Sequence, residues 1–103
     1  MAQDRHIYGE VNSSTGLKTI FRDIRKDVSA ARSRPALSVL YKRAGYLITL
    51  TNAPAWRKKF GGKAASMRQV AKEEFTSTAR KINSRAKTIG AKGDYDTKWG
   101  PGR

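Results

Sequence analysis

Few side chains in this sequence are suited to act on a substrate. A single histidine, His6, stands near the start, and there is no cysteine. One imidazole with no second His and no thiolate cannot complete a transition-metal ligand set. Disulfides and thiol catalysis are excluded outright. The remaining carboxylates that matter come as close pairs: Asp23 with Asp27, Glu73 with Glu74, and Asp94 with Asp96. Asp23 and Asp27 are one helical turn apart and can share a cation, but with 22 Lys and Arg in 103 residues ordinary ion pairing accounts for them. Asp94-Tyr95-Asp96 offers two carboxylates on a Gly-rich stretch, a weak site for a hard cation. No positioned acid–base pair is visible. The one enzymatic reading that needs none of these groups is a metal-independent nuclease working through Lys, Arg and Tyr. The expectation is a protein that is not an enzyme and holds no metal or cofactor.

The stretch "GGKAAS" (residues 61–66) invites comparison with a phosphate-binding loop. That loop needs a glycine five residues before its Gly-Lys pair and a Ser or Thr after the lysine. Arg57 and Ala64 occupy those places, so the match fails. A Gly-Gly turn before a helix still exposes backbone N–H groups that suit anions, and Lys63 strengthens it. The plainer reading is an ordinary helix break.

The cations carry the strongest signal. Twenty-two Lys and Arg against eight Asp and Glu give a net charge of +14. Such a body repels itself, and binding a polyanion relieves the repulsion while releasing counterions. Solvated helix faces normally alternate charge at four-residue spacing. Here Lys18–Arg22, Arg22–Lys26, Arg68–Lys72 and Lys81–Arg85 place like charges one turn apart. On the first helix Lys18, Arg22, Arg25, Lys26 and Arg32 fall on one flank and the back, and Asp23 and Asp27 on the other flank. A second concentration lies in "PAWRKKFGGK" (residues 54–63). Trp56 and Phe60 share one face of a short helix there, which reads as a knuckle pinned to the core with Arg57, Lys58 and Lys59 held out to solvent. The competing reading makes Trp56 a base-stacking residue.

These side chains need a scaffold, and the apolar spacing supplies one. Leu17, Ile20, Phe21, Ile24, Val28 and Ala31 repeat at helical steps, predicting a helix over 17–32 capped by Ser14 or Thr15. Pro35 suits the first turn of a second helix over 35–51. That segment is apolar on two faces, one through Leu37, Leu40, Ala44, Leu47 and Ile48, the other through Val39, Tyr46 and Leu50. Two apolar faces place a helix in the middle of a bundle. Gly45 and the strand formers of "YLITLT" leave a strand over 46–51 as the alternative. Asn52 is a candidate cap for a short helix over 53–60, closed by Gly61-Gly62. Met67, Ala71, Phe75, Thr78, Ile82, Ala86 and Ile89 mark a long helix over 63–89, ~40 Å in length, whose last turns are expected to extend beyond the core. Gly90 stops it.

The fold expected is therefore mainly α, a small three- to four-helix bundle. An N-terminal arm covers 1–16, a basic helical domain 17–90, and a flexible Gly-rich tail 91–103, where Tyr95 and Trp99 are candidate anchors or partner hot spots. No apolar run is long enough to span a bilayer. The N-terminus lacks the apolar segment of a secretion signal, so a soluble, cytoplasmic protein is expected. The leading functional reading is non-enzymatic binding of nucleic acid, DNA or RNA, mainly through phosphates. Lys18, Arg22, Arg25, Lys26, Arg57, Lys58, Lys59 and Lys63 are the expected contacts. The alternative is a small regulatory or adaptor protein docking on an acidic protein surface.

Overall fold

The computed structural model describes residues 13–98. Four helices account for most of them: α1 (Ser14–Ala30), α2 (Arg34–Asn52), α3 (Pro54–Phe60) and α4 (Lys63–Thr88). No strand occurs among the described residues, so 46–51 is helix. Gly45 lies buried inside α2 and does not interrupt it.

The caps explain where each helix begins and ends. Ser13 starts α1 by accepting from the Gly16 N–H at 3.1 Å, one residue ahead of the expected caps. Ser33 does the same for α2 through Ala36, with Pro35 in the first turn. Asn52 does not cap α3. It ends α2 instead, with its amide donating back to the Ile48 carbonyl at 2.9 Å. Gly61, at φ +55, closes α3. Gly90, at φ +78, turns the chain back after α4, and the Ala91 N–H reaches the Ala86 carbonyl at 2.7 Å while Gly90 reaches Lys87. That pair of bonds is a Schellman closure, which a left-handed glycine makes easily.

The middle element is α4 and not the expected α2. Long contacts run from α4 to α1 on one flank and to α2 on the other, while α1 and α2 touch each other far less. On the second apolar face of α2 only Leu50 packs against the core, while Val39 and Tyr46 stay 50% and 46% exposed. Leu17, Phe21, Ile24 and Val28 of α1 meet Met67, Ala71, Phe75 and Ile82 of α4 and Leu37, Leu40, Leu47 and Ile48 of α2 in one core. The core continues to the far end of α4, because Ile82 and Ala86 are fully buried. Its last turns therefore do not project. α1 covers them: the Arg85 Nε donates to the Ala31 carbonyl at 2.9 Å, capping the end of α1.

Residues 91–98 carry no helix, yet they are held against α2 and α4. The anchoring role open to Tyr95 is the one it takes: its ring lies 4.9 Å from that of Tyr41, and its backbone is bonded to Asn83. The expected arm is shorter than 1–16, because Ser14, Thr15 and Gly16 belong to α1. His6 with the other residues of 1–12, and Trp99 with those of 99–103, lie outside the described residues.

Candidate nucleic-acid interface

Two cross-contacts set the register of α1 against α4. Arg25 pairs with Glu74 at 3.0 Å, and Arg85 reaches Ala31. Later residues of α1 thus meet later residues of α4, so the two helices run in the same direction. Arg25 and Glu74 each lie eleven residues into the chain counted from Ser14 and Lys63. The starts of α1 and α4 are therefore level. α2 runs the opposite way, with Tyr41 5.5 Å from Phe75 and Arg34 beside Asp94 after the end of α4. Its carboxyl end, with α3, closes the same end of the bundle as the starts of α1 and α4.

This packing gathers the two cationic groups that the sequence keeps some forty residues apart. Lys18, in the second turn of α1, stands at the end that carries Arg57, Lys58, Lys59 and Lys63. All five side chains are exposed, and none has a carboxylate partner among the described residues. Arg22 and Lys26 continue the row from Lys18 down the outer face of α1, also exposed.

Trp56 anchors the knuckle. It is only 7% exposed, and its ring lies 4.5 Å from that of Phe60. A ring so buried has no open face for a base, so the core-anchor reading holds over base stacking. The Lys59 ammonium sits 5.3 Å from the Phe60 ring centroid, a cation–π contact that leaves it at the surface. Lys63 opens α4 directly after the Gly61-Gly62 turn. No side chain caps that helix, and the Ala64 N–H is satisfied by the Gly61 carbonyl at 3.1 Å.

Arg25 does not belong with the exposed cations. The flank of α1 on which it lies faces α4, where Glu74 and the Thr78 hydroxyl, at 3.2 Å, engage its guanidinium. Both charged side chains are about one-fifth exposed, and Thr78 is fully buried. Arg25 therefore joins helices. Tyr95 is likewise occupied within the molecule and is half-buried, which removes it as an open partner hot spot.

A signal that spacing arguments missed is the distribution of acids. From Val28 to Lys72 the sequence has ten Lys or Arg and no Asp or Glu. Along α1 and α4 the first carboxylates met are Asp23 and Glu73. At 1.5 Å per residue they lie ~13–15 Å from the level starts of the two helices. The α3 end is thus free of acid among the described residues. At the other end Asp94 is held below the usual carboxylate range, first by the hydrogen bond from Arg34 and further by the Arg34 and Lys92 charges.

Among the described residues no three His, Cys, Asp or Glu side chains come together as a metal site, and no helix is long and apolar enough to cross a membrane. Comparison with protein families, characterised proteins and solved structures finds no match to this chain.

Proposed function

We propose that the protein is a non-enzymatic nucleic-acid-binding protein that holds phosphates with the α3 end of its bundle and reads little or no base sequence. One observation supports this above the rest: Lys18, Arg57, Lys58, Lys59 and Lys63 converge, exposed, on an end with no acid among the described residues. An isolated surface salt bridge adds little to stability, so the lack of acid at that end among the described residues costs the fold little. It leaves a local field that suits a polyanion. Lysines and arginines on exposed stems position a phosphate backbone without reading bases. Trp56 serves as the pin that presents the triplet. Arg22 and Lys26 extend the contact along α1, and Arg25 is left out because Glu74 already neutralises it. On this reading the protein works in the cytoplasm.

A salt titration on two unrelated oligonucleotides tests the reading. Seven phosphate contacts, the five at the α3 end with Arg22 and Lys26, give a log–log slope of about −6.3 on duplex, or about −4.9 on single strands. Affinity should then fall about 6,000-fold between 50 and 200 mM salt on duplex, to a similar degree for both sequences. Absence of binding at low salt would overturn the proposal and leave docking on an acidic protein surface as the better reading.

A further inference from the structure

The furrow between α2 and α4 holds residues 94–97 as a segment without helix or strand, and the way it holds them does not depend on their being joined to α4. Asn83 reads the main chain twice: its amide nitrogen donates to the Tyr95 carbonyl and its amide oxygen accepts from the Tyr95 N–H, both at 2.8 Å. Arg34 reads the side chains. It pairs with Asp94 at 2.9 Å and lies over the Tyr95 ring, 4.7 Å from its centroid. The phenol meets Ser38 Oγ at 2.6 Å and donates to the Arg34 carbonyl. Beyond it, Tyr41 and Thr76 donate to the carbonyls of Asp96 and Thr97 at 3.0 Å. Two opposed main-chain bonds, one carboxylate clamp and one seated aromatic ring specify an Asp-Tyr pair, with the residue after it held by its carbonyl.

We propose that this furrow is a recognition site for such a segment, and that its resident residues 94–96 can be replaced there by the same segment from a second copy of the chain. Charge complementarity supports it: α2, which forms one wall, has Arg34, Lys42 and Arg43 and no acid, whereas the segment carries Asp94 and Asp96. The segment is only half-buried, and the Tyr95 ring is its one apolar group packed against the core. Five residues join it to α4, among them Gly90 in the left-handed region and Gly93. Opening a hinge there frees the segment and leaves the helical core untouched, which is the usual route to exchange between copies. A tethered segment competes at an effective concentration in the millimolar range, so the site must be loosened before exchange is seen.

Gly93 provides the means. A Cβ at that position would fall 2.5 Å from the Asn83 carbonyl oxygen, so Gly93→Ala lifts the segment without altering any core or furrow side chain. A labelled peptide of residues 90–98 is titrated against full-length wild type, Gly93→Ala and Tyr95→Ala, with anisotropy as the readout and circular dichroism to show that each is folded. The peptide should bind both variants at least tenfold more tightly than wild type. A control peptide carrying Tyr95→Ala keeps both acids and should bind at least tenfold more weakly. No binding to the folded variants overturns the proposal, and so does a control peptide that binds equally, which would mean charge attraction alone. Where Tyr95→Ala fails to fold, Gly93→Ala decides the matter.

Discussion

At the end where α2 starts and α4 stops, cations meet acceptors from the same chain. Arg34 clamps Asp94, Lys92 lies 3.7 Å from the same carboxylate, and Arg85 donates to a helix carbonyl. At the α3 end, Lys18, Arg57, Lys58, Lys59 and Lys63 face solvent with no acid beside them among the described residues. Both ends are rich in positive charge, so the count of cations does not distinguish them. Arg32 and Lys87 stay exposed at the first end, so what differs is that its fold also supplies acceptors, Asp94 and the Ala31 carbonyl, where the α3 end has no acid among the described residues. A cation that closes an internal contact contributes to packing, and the proposed function gives an external anion to those left open among like charges.

The largest effect should come from breaking the α3 end at its pin. Trp56→Ala empties a core position and should cost ~3–5 kcal/mol of stability, measured by chemical denaturation. A variant that melts like wild type but loses nucleic acid would return Trp56 to the role of base stacker. The next effect separates the ends by function. Replacing Arg57, Lys58 and Lys59 together by Gln should flatten the salt slope by about two to three units, the share of three phosphate contacts, and leave circular dichroism unchanged. Arg34→Gln at the opposite end should leave the slope as it is. Equal slopes for the two variants would erase the distinction.

Glu74→Gln tests the internal use of Arg25 and should destabilise the protein by ~1.5–3 kcal/mol, the usual worth of a hydrogen bond to a charged group, with no change in salt slope. Arg22→Gln with Lys26→Gln should flatten the slope by only one to two units, with stability unchanged because both side chains are exposed. The smallest effect concerns Asp94. Its folded carboxyl titrates below its ordinary value near 3.8. The clamp on Arg34 is thus fully present above that value and weakens as pH falls through the lowered one. Amide signals of residues 94–97 should broaden or shift on acidification below about pH 4, before the helices melt. Signals that hold their positions through that range would show the segment seated by Asn83 and Tyr95 alone.

The helices were legible because their apolar stripes follow a single period, and their ends because Gly61 and Gly90 stand where a left-handed residue is required. The knuckle was legible too: two aromatics four residues apart cannot both face solvent beside three cations without cost. The helix order within the bundle was not. Val39 and Tyr46 make α2 look two-faced, yet the choice of central helix depends on how three stripes fit together, which no single segment reveals. The role of Arg25 was hidden for the same reason, since its partner Glu74 becomes its neighbour only through the parallel register of α1 and α4. Asn83 gave no local signal at all. A polar residue on a helix flank shows its purpose only when the chain turns back at Gly90 and lays Tyr95 against it.

The shared direction of α1 and α4 reaches beyond packing. Their amino ends, each with partial positive charge, open at the α3 end against the one carboxyl end of α2. These amino ends add their partial charge to the five lysines and arginines there. Under the proposed function, a polyanion approaching the α3 end meets both sources of positive charge together. The association rate that the proposal then implies is high at low ionic strength. It declines as added salt shortens the screening length to ~10 Å at 0.1 M, a distance over which the two ends no longer differ to an anion still in solution.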